Sequence, residues 1–450
     1  MSSPNRPESN RFEPQQLLEQ LNERFPRPAG YCVAFSGGLD STVLLHALVA
    51  IRGLLRAPLS AIHIDHALQP GSANWLRHCR QQCGQLDIPL QTLVVDAVAQ
   101  PGESPEAAAR NARYAAIAAL LGPRVMLLTA HHQDDQAETL LLQLLRGSGV
   151  EGLAAMPAIR EWQDGWHARP LLPWRRTALH SWAVAGRLHW IDDPSNAQTV
   201  ADRNYLRHQV VPKLRARWPA ATDNIAHSAA LCAEAAEAQR RQAQHDLQGV
   251  LSEDRRRLRV AALRELSPAA ARRVLRGWLH SMALPPLPRR RLHEAVEQLC
   301  AARCDAAVCI AWGSHELRRF RDEVWLIRQN LARVPSQPLD WLGDELALGP
   351  GLGWLRRRAG PGGIDRACWE QGRVQVRYRA AGLRCRPAGR AGSRSFKKIA
   401  QELLIPPWQR DRTPLIYIDG RIAAIADACV CEPFAAPKGD IGWIVDWVDR

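Results

Sequence analysis

The chain of 450 residues predicts an α/β fold in sections: a parallel-sheet unit over residues 1–220, a helical unit over 221–330, a linker over 331–370 and a small basic α+β unit over 371–450. Three patterns predict it. Apolar runs of strand length alternate with helix-length segments in the first part of the chain, as strands joined by crossover helices require. Helical, Ala-rich sequence follows from Asp202 to about Asp246, and a second helical unit covers roughly Leu251 to Val324. From about Gln371 the sequence breaks into short alternating runs, which suit small strands.

In order along the chain, Pro14 to Phe25 reads as a short helix after a polar tail. Strands are expected at Tyr31 to Phe35, Leu59 to Ile64, Leu90 to Val95 and Val125 to Thr129, with helices at about 41–53, 72–87, 104–121 and 134–146. In such a sheet ligands gather beyond the carboxyl ends of the strands. Ser36 to Ser41, His63 to His66 and Thr129 to Asp135 all follow strand ends, so they converge on one crevice. Farther on, Ser267-Pro268 reads as a helix start and the Pro285 to Pro288 cluster as a break. Residues from about Leu331 to Asp365 are rich in Gly and Pro and read as an irregular link. Short runs at Val374 to Tyr378, Leu415 to Ile418 and Ile422 to Ile425 supply the last strands.

Ser36-Gly37-Gly38-Leu39-Asp40-Ser41 ends the first apolar run and opens a helix. A strand, a tight glycine turn and a helix N-terminus present free backbone N–H groups to an anion. The turn carries no Gly-Lys-Ser or Gly-Lys-Thr, and it is not G-x-G-x-x-G. Two hydroxyls, two residues without side chains and one carboxylate suit a pyrophosphate whose magnesium ion is held partly by Asp40. The chemistry suggested is cleavage of ATP between its α and β phosphates. An ordinary Gly-Gly turn is the plain alternative.

A second cluster, His131-His132-Gln133-Asp134-Asp135-Gln136-Ala137-Glu138-Thr139, stands at the end of another strand. On a helix Glu138 lies four residues from Asp134 and three from Asp135, so the carboxylates share a face. Grouped beside a phosphate site they repel unless a cation sits among them. Magnesium or a protonated amine would supply it. A helix dipole also favours acids in its first turn, which explains the aspartates but not the paired histidines.

The formal charge of +14 and a pI near 9.8 exceed what a small substrate requires and point to a polyanion, most often nucleic acid; a solvated basic surface is the alternative. Nearly all of this charge is arginine, the lysines being only Lys213, Lys397, Lys398 and Lys438. The run Arg373 to Ala400 holds Arg377, Arg379, Arg384, Arg386, Arg390, Arg394, Lys397 and Lys398 with no acid, and such charge repels itself without a polyanion. Eleven cysteines form no C-x-x-C. Cys79 with Cys83, and Cys300 with Cys304 and Cys309, read as buried thiols rather than metal ligands, as expected of a reducing compartment. Trp174, Trp182, Trp190 and Trp218 read as core rather than as base-stacking platforms. Met1 to Asn10 is polar and no apolar run reaches membrane-spanning length; a cytoplasmic protein with no membrane partner is expected.

At Ser36 to Ser41 the chain resembles the PP-loop ATP pyrophosphatases, which include the GMP, NAD and asparagine synthetases, tRNA thiolases and tRNA(Ile)-lysidine synthetases. His131 to Thr139 is similar to the signature of the lysidine synthetases, with partial overlap in the thiolases. Leu145-Arg146-Gly147-Ser148-Gly149 with Gly152-Leu153, Arg169-Pro170-Leu171-Leu172, Asp192-Asp193-Pro194-Ser195-Asn196 and Arg203-Asn204-Tyr205-Leu206-Arg207 continue it in the same order. The resemblance is strong over about 30–220, weak in the middle and moderate at the end, through Cys385-Arg386-Pro387-Ala388-Gly389 and Lys397-Lys398.

This resemblance implies a Rossmann-like N-terminal domain of the adenine nucleotide alpha hydrolase-like kind, a helical middle domain and a small α+β C-terminal domain that contacts tRNA. It implies ATP-dependent ligation of L-lysine to carbon 2 of the wobble cytidine of tRNA(Ile) with a CAU anticodon. An adenylated cytidine is the intermediate, pyrophosphate and AMP leave, and codon reading changes from AUG to AUA. By matching positions, Ser36, Gly37, Gly38, Leu39, Asp40 and Ser41 hold ATP, with Asp40 near magnesium. His63 helps form the nucleotide pocket, and Arg110 and Arg113 lie near the phosphates unless they form a surface ion-pair helix. Asp135 and Glu138 recognise lysine, with His131 and His132 in the catalytic group. Arg203 and Arg207 face RNA or nucleotide unless they are merely an exposed basic helix, while Arg386, Lys397 and Lys398 meet the tRNA. A homodimer is compatible with all this, the sequence leaving the oligomeric state open. Three other readings stand: a tRNA thiolase, for which Cys32 beside the phosphate strand speaks and the lack of C-x-x-C does not; a small-molecule amide ligase, which would not need the basic C-terminal unit; and an RNA-binding protein with a degenerate nucleotide fold, which gains nothing from buried carboxylates near phosphate.

Overall fold

Strand and helix alternate through the first unit as the apolar runs require. The computed structural model describes residues 11–65, 72–95, 105–192, 201–303, 306–329, 334–378 and 382–448, and the chain divides into two units, Met1–Arg241 and Gln242–Arg450. The first begins with α1 (Pro14–Glu23), then β1 (Gly30–Ala34), α2 (Leu39–Ala50), β2 (Leu59–Asp65), α3 (Ser72–Gln85), β3 (Leu90–Val94), α4 (Pro105–Leu120), β4 (Val125–Leu128) and α5 (Gln133–Leu145). Each of these elements was expected from the sequence, to within a few residues at its ends. A short α6 (Val150–Leu153) leads to the hairpin β5 (Ile159–Trp162) and β6 (Gly165–Ala168), which the sequence had not suggested. The sheet order is β3-β2-β1-β4-β6-β5, parallel throughout except for the edge strand β5.

Successive strands step from β1 outward to β3, and the chain then returns to add β4 on the other side of β1. The order reverses at that pair, and it is there that a parallel sheet opens a crevice at its carboxyl end. Ser36 and Thr129 follow the two strands that flank it. The helix entering from this point, α2, is apolar almost all round, and Leu44, Leu45 and Leu48 are fully buried, as befits a helix inside a core. Each of these leucines contributes about 1.5–3 kcal/mol of burial, so the N-terminus of α2 is held rigidly against the sheet.

Trp174 and Trp182 close the core edge-to-face on Phe12, with ring centroids 5.1 and 5.4 Å away. Trp190 packs at the core margin. Trp218 is the exception among the four, being 57% exposed. After α7 (Arg176–Ala185) come α8 (Asp202–Tyr205), a π-helical turn over Leu206–Val210, α9 (Val211–Arg217) and the long α10 (Ala221–Val250), within which the division between units falls.

The second unit begins with β7 (Leu258–Arg259), α11 (Val260–Glu265), α12 (Pro268–Ser281) and α13 (Arg289–Ala301). Ser267 caps α12 by accepting from the Ala270 N–H at 3.2 Å, and Pro268 takes the first helical position, as expected. The helical reading of the rest of this region needs correction. β8 (Cys309–Trp312), β9 (His315–Phe320) and β10 (Glu323–Arg328) form an antiparallel sheet in the order β7-β10-β9-β8, because β8 buries alternate residues, the period of a strand.

The linker over 331–370 is also corrected. It holds β11 (Leu339–Asp340), β12 (Glu345–Ala347), β13 (Trp354–Pro361) and α14 (Arg366–Gln371), with Trp341, Leu348, Leu352, Leu355 and Ile364 buried in one cluster. Its glycines serve a hairpin: Gly349, Gly351 and Gly353 all have positive φ between β12 and β13, where a side chain would be strained. The remainder comprises β14 (Val374–Arg377), β15 (Arg384–Cys385), β16 (Arg394–Ser395), α15 (Phe396–Glu402), α16 (Pro407–Arg410), β17 (Leu415–Ile418), β18 (Arg421–Ile425), β19 (Cys429–Val430) and β20 (Ile441–Val448). These build sheets β11-β14-β17-β18-β19 and β12-β13-β20 with the hairpin β15-β16. His66, Asp193 to Asn196, Cys304 and Arg379 lie outside the described residues. Among the described residues no helix is long and apolar enough to cross a membrane.

Candidate active site

The first loop is built as the sequence requires. Gly37 has φ +80°, and a Cβ there would stand 3.0 Å from Cys79 Sγ and 3.3 Å from the His78 ring. Backbone sterics and packing from α3 therefore both demand glycine. Ser36 Oγ and Ser41 Oγ lie 3.0 Å apart, Ser41 Oγ donates to the Gly38 carbonyl at 3.0 Å, and Ile191 N–H donates to the Gly37 carbonyl at 2.9 Å. Gly38 precedes α2 in extended conformation with no side-chain cap, leaving the first N–H groups of that helix to an anion. Leu39 contributes its backbone here and anchors its side chain in the core. Gly37→Ala is expected to raise the KM for ATP by at least about tenfold and to cost about 1–2 kcal/mol of stability; an unchanged KM with an unchanged melting temperature would contradict this geometry.

His63 is buried beside the loop. It is 5% exposed, with Nδ1 2.9 Å from the Phe35 carbonyl and 3.4 Å from Cys79 Sγ, so it steadies the strand end from which the loop departs. Cys79 and Cys83 are core residues; burial raises their thiols to about 12 and about 11. Arg113 is exposed on α4, whereas the side chain of Arg110 lies outside the described residues.

The second cluster joins the first through His132. This buried ring has Nε2 3.4 Å from Asp135 Oδ2 and 3.7 Å from Asp40 Oδ2, and Nδ1 3.6 Å from Asp134 Oδ2. Its backbone N–H donates to Asp135 Oδ2 at 3.0 Å, which fixes the start of α5. His131 begins a different chain of contacts: Nδ1 is 2.9 Å from Thr129 Oγ1, which is 2.9 Å from Nε2 of the buried His167, whose Nδ1 lies 3.4 Å from Arg169 Nη2. Sequence reasoning placed Thr129 at the crevice without a partner and did not single out His167.

The cations that the acidic cluster requires are arginines. Arg207 Nε donates to Glu138 Oε1 at 2.7 Å, and its Nη2 donates to Glu138 Oε2 and Asp135 Oδ1, both at 2.9 Å. Arg203 Nη2 donates to Thr139 Oγ1 at 2.7 Å, with Nε 3.4 Å from Glu138 Oε2. Arg215 pairs with Asp134, whose other oxygen accepts from the Arg176 N–H at 2.8 Å. The alternative of a merely exposed basic helix does not hold for Arg203 and Arg207: both turn onto the carboxylates of α5. Arg176 and Arg215 went unnoticed because they belong to no motif; an excess of arginine after an acidic cluster was the available signal.

Electrostatics divide the acids. Burial works against ionisation of Asp135, but His132, His131, Arg207 and the His132 N–H outweigh it, and the carboxyl lies below the ordinary range. At Glu138 burial prevails over Arg207 and raises the pKa. At Asp40 burial likewise exceeds the opposing pull of His132 and Arg176, and the pKa is raised. Asp40 Oδ1 is buried and accepts no hydrogen bond, with Arg176 Nε 3.5 Å away. A bare carboxylate oxygen beside a phosphate loop is a hard ligand that suits magnesium.

In the second unit Arg386, Lys397 and Lys398 are exposed. The basic run is less unbalanced than its own sequence suggests: Asp340 holds Arg373 bidentately at 2.9 Å, and Glu402 pairs with Arg394. Arg384, Arg390, Lys397 and Lys398 have no acidic partner among the described residues.

Comparison with known proteins bears on the whole chain. A PP-loop domain matches residues 11–214, a TilS substrate binding domain residues 258–325 and a TilS substrate C-terminal domain residues 374–447. A tRNA(Ile)-lysidine synthase of Methylococcus capsulatus is 40% identical over 420 residues, covering 93% of this chain and 96% of that protein. The chain belongs to the tRNA(Ile)-lysidine synthase family. A second tRNA(Ile)-lysidine synthase, from Alkalilimnicola ehrlichii, is 42% identical over 436 residues and covers 95% and 96% of the two chains. For this lysidine synthase family member, the PP-loop match includes the glycine loop, the acidic cluster and both arginines of the 203–207 segment.

Proposed function

We infer that the protein is an ATP-dependent ligase that forms lysidine at the wobble cytidine of tRNA(Ile) bearing a CAU anticodon. The observation that carries this reading is a pair of buried carboxylates, Asp135 and Glu138, beside the phosphate loop and already built around a cation. The cytidine O2 attacks the α-phosphorus of ATP and pyrophosphate leaves. The lysine ε-amine then attacks carbon 2, and AMP departs with the oxygen. The N-terminus of α2 and the Ser36 and Ser41 hydroxyls hold phosphate oxygens. Asp40 would hold magnesium, whose charge offsets that of the phosphates when it is bound.

Lysine arrives mostly as an ammonium. Its positive end exchanges with the Arg207 guanidinium at Asp135 and Glu138, and Glu138, whose raised pKa makes it the stronger base of the two, takes the proton that attack requires. The thiolase alternative is disfavoured at its one candidate sulfur: burial pushes Cys32 up to about 11, leaving a protonated thiol in the core and no nucleophile. ATP, lysine and tRNA meet in the cytoplasm, where we place the reaction. Incubation with ATP, magnesium, labelled lysine and the CAU-anticodon tRNA(Ile) is expected to put label into RNA; its absence, with sulfur incorporation instead, would overturn the reading.

A further inference from the structure

The second unit contains a cleft of about 740 Å³ remote in sequence from the PP-loop motifs, within the roughly 300–1,000 Å³ of small-molecule sites. Its wall is aromatic. Trp408 stands edge-to-face with Phe320 and with Trp325, centroids 6.0 Å apart in both pairs, and all three rings are half-buried. The Arg257 guanidinium lies 3.8 Å over the Trp325 ring.

Two buried donors in this lining lack an acceptor: the Trp325 indole N–H and Arg412 Nη1. Buried donors are rarely left so, because the unmade bond is costly. Around them Arg321 and Arg328 are exposed and have no acidic partner among the described residues, while Arg256 answers Asp254. Of the three acids in the lining, Glu323 is held by Arg257 at 2.8 Å and Asp322 accepts from the Ala261 N–H at 2.9 Å, and Asp427 is the third. Aromatic faces, orphaned donors and unpaired cations together describe a binder of a flat, acceptor-rich, anionic ligand.

We propose that this cleft binds an unpaired nucleotide of the tRNA, its base against the Trp408 and Trp325 wall and its phosphate on Arg412 and the rim arginines. A base inside an A-form helix presents no free face, so the cleft selects single-stranded RNA. The proposal takes tRNA as its partner from the reading above, but its test needs neither ATP nor lysine. A failure to form lysidine would therefore leave it standing.

The test measures tRNA affinity of the full chain at fixed salt. Trp408→Ala is expected to weaken binding about tenfold, with Trp408→Phe restoring most of it. The double variant Arg321→Glu, Arg328→Glu, exposed and so without consequence for folding, is expected to weaken binding about tenfold and to flatten its salt dependence. Repeating the Trp408→Ala measurement on tRNA trimmed of its single-stranded 3′ end assigns the nucleotide: loss of the effect places that end in the cleft, and persistence places a loop nucleotide there, each in support. Wild-type affinity in both the Trp408→Ala and the rim variants would overturn the proposal, as would AMP displacing tRNA from the cleft at micromolar concentration, which would make it a free-nucleotide site.

Discussion

Asp40→Asn is expected to lose pyrophosphate release by about 10²–10³-fold or more, the scale of removing one group that stabilises developing charge. The same substitution is expected to make the folded protein more stable. Burial raises the Asp40 pKa in the native state, so over the window from its ordinary value up to the raised one the native state binds more protons than the unfolded chain, and stability falls as pH rises. Above that window the ionised carboxylate remains a net cost, because Oδ1 accepts no hydrogen bond. An asparagine removes the charge and keeps the shape. At neutral pH the melting temperature of the first unit should rise by about 2–4 °C, equivalent to roughly 1 kcal/mol. Normal pyrophosphate release in the variant would strip Asp40 of its role with magnesium, and a lowered melting temperature would refute the cost assigned to burying it.

Glu138→Gln should divide the reaction at its intermediate. Adenylation is expected within a few fold of wild type, since Glu138 does not belong to the phosphate loop, while lysine transfer slows by about 10²–10⁴-fold for want of a positioned base. In the wild type, transfer should fall as pH drops through the raised pKa of Glu138; in the variant that limb of the profile should vanish. Trapping adenylated RNA and chasing it with labelled lysine reads both steps separately. An unchanged transfer rate would show that proton removal happens elsewhere.

What the sequence disclosed and what it hid follow from range. Strands β1 to β4 and their crossover helices were legible because each is set by local periodicity, and the loop at Ser36 because a glycine turn and its hydroxyls lie within six consecutive residues. Arg203 and Arg207 were correctly read as sharing a helical face, yet not as facing Glu138, because periodicity reveals which residues neighbour each other and not what lies opposite them. Their partner is separated by 65 and 69 residues. The same holds for β13, whose partner is β20, pairing Leu355 with Trp447: no local signal announces that match, and the Gly-Pro-Gly sequence of its hairpin turn resembles a linker. Strands β5 and β6 made no apolar run to notice, with Arg160 and Glu161 inside the one and His167 inside the other.

The acids of the crevice and the arginines that answer them come from different stretches of chain. Asp40, Asp134, Asp135 and Glu138 all precede the last two strands of the sheet, while Arg176, Arg203, Arg207 and Arg215 all follow them. A fragment that stopped at β6 would hold every residue of the two sequence motifs and still confront a triphosphate with four carboxylates that lack their arginine partners. The helical tail from α7 to α9 is therefore no appendage of the nucleotide-binding core but the half that makes its mouth hospitable to anions, and the smallest competent enzyme must reach at least to Arg215.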